Sequence, residues 1–103
     1  MSEKKLQQED CNEDNLGPGI LTLTTTRIAF DKTKSRVMDF SKSMGETLLD
    51  IPLSDIVRTW REGLIMKKAC ISVRTSSGEK VYKFGVFNVG GWVDGIQDAI
   101  NEL

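Results

Sequence analysis

The most suggestive chemical group in this 103-residue sequence is an aromatic side chain that stands between two arginines. Trp60 has Arg58 two positions before it and Arg61 directly after it. A tryptophan beside guanidinium groups suits stacking on a base or binding in a peptide groove. The alternative is structural, because a tryptophan on a strand can also cover the rim of a β structure. The sequence leaves both interpretations open.

Further cations are segregated along the chain. The net charge of −1 hides this, since residues 56–83 hold seven Lys or Arg and two acids. If the loops that carry the cations share one end of the fold, they form a rim that can contact an acidic partner; otherwise they belong to a solvated surface. The candidate binding residues are therefore Lys32, Lys34, Arg36, Arg58, Trp60, Arg61, Lys67 and Lys68.

Groups that enzymes commonly use are sparse in the sequence. It contains no histidine, which is the commonest general base and metal ligand. Cys11 and Cys70 are too far apart for a zinc motif, and Gly90-Gly91 is not followed by the lysine of a phosphate-binding loop. We therefore predict that the chain is not an enzyme and that it has no catalytic residue, no cofactor and no metal site.

An amphipathic helix over residues 89–103 is the clearest element that could position a binding surface. Gly95 lowers helix stability relative to alanine, so we expect the helix backbone to approach another surface closely there. Asn88 can cap the first turn. The apolar stripe, which predicts that Trp92 anchors the helix, consists of Trp92, Ile96, Ala99, Ile100 and Leu103.

The chain before the helix has the pattern of β-strands. Apolar and polar residues alternate along most segments, and β-branched and aromatic residues are frequent in them. The predicted strands cover residues 20–24, 27–30, 56–62, 68–75 and 80–87, with a short edge strand over 51–53.

Two parts of the chain have weaker patterns. Residues 1–15 are either a tail or a weak first strand near residues 5–11, and residues 17–19 predict a turn. The pattern over residues 31–50 predicts an extended loop that contains a short strand at 36–40. Because a structureless stretch of this length is unusual in a compact domain, we expect either partial order or a binding role there. The whole is a single domain over residues 1–103, mainly β, with six to seven antiparallel strands and a helix that covers the open end.

The cysteine count and the hydropathy indicate the compartment. There are two cysteines, no apolar leader follows Met1, and no run of eighteen apolar residues could span a membrane. We therefore expect a cytoplasmic chain with reduced thiols. Cys70 is expected to be a small buried or half-buried residue of its strand.

Several pieces of the sequence match a family signature in order and spacing. They are residues 19–24 (GILTLT), 27–30 (RIAF), 51–56 (IPLSDI) and 82–84 (YKF), with Trp92 in the last helix. Over roughly residues 19–103 the chain thus resembles GRAM domains, which belong to the pleckstrin-homology-like (PH-like) superfold. The resemblance implies a partly open antiparallel barrel that a C-terminal helix caps.

The resemblance also implies an interaction module. Lipid-binding members carry Lys and Arg in the loop between the first two strands, whereas here that loop would be residues 12–18, in which Glu13 and Asp14 would repel a phosphoinositide head group. This departure favours a protein partner, bound through a groove or an exposed strand edge. The alternative is a binder of anionic surfaces, membrane lipid head groups or nucleic acid, through a basic face, and of these two the net charge disfavours nucleic acid. The sequence leaves the oligomeric state open.

Overall fold

Seven antiparallel strands form one open sheet in the computed structural model, which describes residues 3–34 and 43–103. The strands lie in the sheet in the order β4-β3-β2-β1-β7-β6-β5, and a three-residue 3-10 turn, Leu53–Asp55, connects β4 to β5. The strands are β1 (Lys5–Glu13), β2 (Gly17–Thr24), β3 (Arg27–Lys34), β4 (Ser43–Pro52), β5 (Ile56–Glu62), β6 (Lys68–Thr75) and β7 (Gly78–Gly85).

One helix, α1 (Val89–Asn101), packs on β5, β6 and the start of β1. Asn88 caps it as predicted, because its side-chain oxygen accepts a hydrogen bond from the Gly91 N–H at 3.1 Å. The close approach at Gly95 is confirmed, since a Cβ there would overlap the Gln7 side chain. The expectation for Leu103 is wrong. The helix ends at Asn101, so Leu103 lies beyond the stripe and its side chain is exposed.

The core lies between α1 and the inner face of the sheet. The most buried large side chains are Trp92 and Ile96 from the helix, with Phe30 and Phe84 from β3 and β7. Burial of one such side chain contributes roughly 1.5–3 kcal/mol, so this cluster is what fixes the helix on the sheet. The mainly β architecture with a C-terminal helix is the fold class that the sequence predicts.

The connection between β1 and β2 is tighter than the predicted loop over residues 12–18. Residue 13 still belongs to β1 and residue 17 already begins β2, so the turn consists of residues 14–16. The predicted turn at residues 17–19 is therefore wrong, because these residues pair with β1 instead. Glu13 is buried, and its carboxylate accepts the backbone N–H groups of Asn15, Leu16 and Lys83. It holds the turn closed and is not displayed to solvent.

Residues 31–50 are more regular than the sequence predicts. β3 continues to Lys34, and β4 begins at Ser43, so only residues 35–42 lie between the two strands. The pairing of β3 with β4 shifts register near Asp31, whose carboxylate accepts a hydrogen bond from the Thr47 hydroxyl. Such shifts break the alternation that identifies a strand in a sequence. The short strand predicted at residues 36–40 lies outside the described residues.

The N-terminal segment is tied to the β2–β3 turn by one carboxylate. Glu3 accepts hydrogen bonds from the Thr24 and Thr26 hydroxyls, both at 2.6 Å, and from the Arg27 Nε at 2.9 Å. These bonds favour the charged carboxylate, and they lower the pKa of Glu3 from its ordinary 4.5 to about 2.

This lowered pKa predicts an acid-dependent loss of stability. The contribution of Glu3 is fully present above its ordinary pKa of 4.5 and is lost as the pH falls through about 2. We expect Glu3→Gln to flatten the pH dependence of the urea midpoint in that range. Glu102→Gln, which removes an exposed carboxylate after α1, is the control. Equal pH slopes for both variants and the unmodified chain would contradict this role.

Candidate functional site

Four large apolar side chains project into solvent around one cleft. Leu64, Ile65 and Met66 follow β5 and are 95%, 95% and 78% exposed, and Phe87 follows β7 and is 100% exposed. We call these four residues the apolar rim. Three of them line a cleft of about 800 Å³ between the β5–β6 turn, β1 and the start of α1. Exposed apolar clusters of this kind are typical of interaction sites in proteins.

The turn that carries Leu64, Ile65 and Met66 depends on a glycine. Gly63 has φ 103°, which side chains other than glycine rarely adopt, and a Cβ there would overlap the Met66 carbonyl oxygen. The chain therefore folds back tightly between β5 and β6. This geometry leaves the three apolar side chains exposed at the tip of the turn.

Phe87 is exposed although its backbone is held firmly. Its N–H donates to the Glu9 carboxylate, which also accepts the Trp92 Nε1–H at 3.0 Å. The next residue, Asn88, caps the helix. Because the main chain is fixed on both sides, the exposure of the phenyl ring is a property of the folded state and not of a frayed end.

The charges that line the cleft are mainly positive. Arg61, Lys67 and Lys68 line it together with one acid, Asp10. Lys68 forms an ion pair with Asp14, whereas Arg61 and Lys67 have no carboxylate partner within residues 3–34 and 43–103. Arg61 lies beside the start of α1, where a Cβ on Gly90 would be 3.5 Å from its guanidinium.

Trp60 lies on a different surface from Arg61. Neighbouring strand residues point to opposite faces, so Arg58 and Trp60 share the outer face of β5 and Arg61 points the other way. The Arg58 guanidinium stacks 4.5 Å from the centre of the indole ring, and the indole N–H donates to Glu62 at 3.3 Å. Trp60 is half-buried, and it lies opposite Cys70 in the pairing of β5 with β6. Cys70 is fully buried. This arrangement favours the covering role.

Of the eight candidate binding residues, the described structure brings Arg61, Lys67 and Lys68 to the cleft and places Arg58 and Trp60 on the outer face of β5. Lys32 is exposed on β3 and pairs with Gly19 of β2, which in turn pairs with Cys11 of β1. Lys32 is not among the residues that line the cleft, although the lining reaches Pro18 of β2, the chain neighbour of Gly19. Lys34 ends β3, and Arg36 lies outside the described residues.

The two thiols are unsuited to nucleophilic chemistry at neutral pH. Burial, aided by Glu13 and Glu9, raises the pKa of Cys11 to about 12, and burial beside Glu62 raises the pKa of Cys70 to about 11. Both are free cysteines in the structure. In the described part of the chain, no three Cys, Asp or Glu side chains come close enough together to hold a metal ion.

A second cleft of about 590 Å³ lies between α1 and the first strands. Lys4, Asp98 and Glu102 contribute charges of both signs to its lining. Leu6 is its one exposed large apolar side chain among the described residues. It therefore lacks the concentration of exposed apolar surface that marks the first cleft.

Sequence reasoning missed the apolar rim, although one signal was present. Turn residues are usually polar or glycine, yet Gly63 is followed by three large apolar residues in succession. That run is unusual between two predicted strands. Phe87 gave no comparable signal, because it continues the alternation of the strand predicted over residues 80–87, which in fact ends at Gly85.

No helix within residues 3–34 or 43–103 is both long and apolar enough to cross a membrane.

The comparison with known proteins identifies the fold. No model of a protein family matches the chain, and no curated protein matches its sequence. Among solved structures, the chain is similar to the Vps36 N-terminal PH domain, with a TM-score of 0.65 and 13% identity over 98% of this chain and 81% of that one. At this identity the similarity establishes the PH-like fold, and it does not distinguish GRAM domains from other PH-like domains.

Proposed function

We propose that this chain is a non-catalytic interaction module that binds a protein partner in the cleft bordered by the apolar rim. PH-like folds are interaction modules that bind proteins or lipids, which supports the general class. The observation that carries the proposal is one cleft lined by three exposed apolar side chains, Ile65, Met66 and Phe87, with Leu64 exposed next to them in the chain. Each gains roughly 1.5–3 kcal/mol when a partner buries it fully.

Two observations favour a protein over a lipid head group. The turn of residues 14–16 contains no Lys or Arg, so the basic loop of lipid-binding members is missing whether or not Glu13 faces solvent. One of the three cations in the cleft, Lys68, is already paired with Asp14. A concave apolar site with a few polar groups at its edge is typical of recognition of a side chain or peptide.

The test is a selection of random dodecapeptides on phage against the immobilised full chain. We expect enriched peptides that bind the unmodified chain and bind Ile65→Asp and Phe87→Asp about 30-fold more weakly, the ratio for loss of roughly 2 kcal/mol at a binding hot spot. Val81→Asp, at an exposed apolar position on β7 outside the cleft lining, is the matched control and should bind as the unmodified chain does.

The same variants test the lipid alternative with vesicles of phosphatidylcholine, with and without phosphatidylglycerol. We expect no co-sedimentation with either kind of vesicle. Two results together would contradict the protein partner and favour a membrane surface. The chain would co-sediment with vesicles unless Phe87 is changed to Asp, and the phage selection would enrich no peptide. Circular dichroism melts of each variant verify that the substitutions leave the fold intact.

A further inference from the structure

We infer that the partner segment carries carboxylates next to an apolar anchor residue, and that Arg61 and Lys67 receive those carboxylates. The inference rests on the proposed function and specifies the chemistry of the partner. The occupant of the cleft is thus an acidic peptide segment with a large aliphatic or aromatic side chain.

Charge at the cleft supports this choice. Its lining residues include three cations and one acid, in a chain whose net charge is −1. The ion pair of Lys68 with Asp14 neutralises one of the three cations. Arg61 and Lys67 are both exposed, and in the described part of the chain neither has a carboxylate partner. A neutral or basic segment would leave both cations without a counter-charge.

The positions of the two cations match an apolar anchor. Arg61 precedes the glycine turn by two residues, and Lys67 directly follows Met66, so the cations flank the tip that carries Leu64, Ile65 and Met66. An anchor side chain that packs on Ile65 and Met66 places its own chain neighbours beside these cations. Acids one or two residues from the anchor are therefore within reach of Arg61 and Lys67.

The two kinds of contact should contribute differently. Burial of the anchor provides most of the affinity, because exposed ion pairs are individually weak. The ion pairs should act mainly on the association rate, and salt should weaken them. This division gives the inference a signature that an apolar cleft alone does not have.

The experiment uses synthetic copies of the enriched peptides and fluorescence anisotropy over a range of salt concentrations. We expect the peptides to carry Asp or Glu within two positions of an aliphatic or aromatic residue. Changing those acids to Asn or Gln should weaken binding roughly tenfold at low salt. The double variant Arg61→Glu with Lys67→Glu should do the same and should flatten the salt dependence.

The matched control is Arg74→Glu with Lys80→Glu, which makes the same charge change near the β6–β7 turn, outside the cleft lining. It should leave the affinity within about twofold. A peptide in which Lys replaces the acids should bind the Arg61→Glu, Lys67→Glu variant better than the unmodified chain. That exchange would confirm the pairing directly.

The results separate this inference from the proposed function. If the amide peptides bind as tightly as the acidic ones at every salt concentration, the acidic partner is wrong, while a loss on Ile65→Asp would keep the apolar cleft. If the enriched peptides bind Ile65→Asp as well as the unmodified chain, the cleft itself is wrong. If the control double variant weakens binding as much as Arg61→Glu with Lys67→Glu, the effect comes from total charge and the assignment of these two cations is overturned.

Discussion

Replacement of Trp92 by alanine should lower the free energy of unfolding by about 3–5 kcal/mol, the usual range for a large buried aromatic residue. The side chain is 1% exposed and packs between α1 and the sheet. Its indole N–H donates to Glu9 at 3.0 Å, so truncation removes a hydrogen bond as well as apolar contacts. The loss should be seen as a lower urea midpoint and a lower melting temperature.

Two comparison variants identify the cause of that loss. Trp92→Phe keeps part of the ring but not the donor, so its stability should fall between the unmodified chain and Trp92→Ala. Trp60→Ala removes the half-buried tryptophan on the outer face of β5 and should cost less than Trp92→Ala. A melting temperature of Trp92→Ala within one degree of the unmodified chain would show that the helix is not anchored by this residue.

Replacement of Glu13 by alanine should lower the free energy of unfolding by about 3–5 kcal/mol, because it leaves three N–H groups without their acceptor at roughly 1–3 kcal/mol each before relaxation. One carboxylate oxygen accepts from Asn15 at 2.8 Å and Leu16 at 3.0 Å, and the other accepts from Lys83 at 3.1 Å. The carboxylate is 1% exposed, so water replaces these bonds poorly.

Glu13→Gln offers a milder change at the same position. A glutamine oxygen can still serve the turn at residues 14–16, while its amide group meets the Lys83 N–H as a second donor, so the cost should be smaller than for alanine. Glu62→Ala is the matched control, because Glu62 also bonds Lys83 but through an exposed ion pair at 2.6 Å. It should cost about 0–1 kcal/mol. Equal costs for Glu13→Ala and Glu62→Ala would rule out the proposed role of Glu13 in closing the turn.

The elements that the sequence predicts well are those whose local pattern agrees with the packing. The boundaries of β5 and β6 were predicted as they are observed, since apolar alternation ends there at Gly63 and near Gly78. The helix was also predicted, because Asn88 caps it and the stripe that includes Trp92 and Ile96 faces the core. At these places each residue's own preference and its tertiary environment point to the same structure.

The errors arise where a residue's role depends on distant parts of the chain. The sequence predicts an exposed charge at Glu13, because nothing in it reveals that Lys83 supplies this carboxylate with a backbone donor. The edge strand predicted over residues 51–53 captures only the end of β4, because the pairing of β4 with β3 shifts register and removes the period of two. Ile65 and Phe87 are far apart in sequence, and only the fold brings them to one cleft.

The way the two halves of the sheet join has a consequence for how the chain folds. β1 to β4 are paired strand by strand along the sequence, and so are β5 to β7. In the described sheet, these two groups meet through the pairing of Asn12 with Gly85 and of Glu13 with Phe84, residues at nearly opposite ends of the chain. Contacts between distant residues require closure of a long loop, which costs conformational entropy before the new contacts contribute any stability. We therefore expect the two meanders to form early and their junction late, so that both walls of the cleft come together only in the last step of folding.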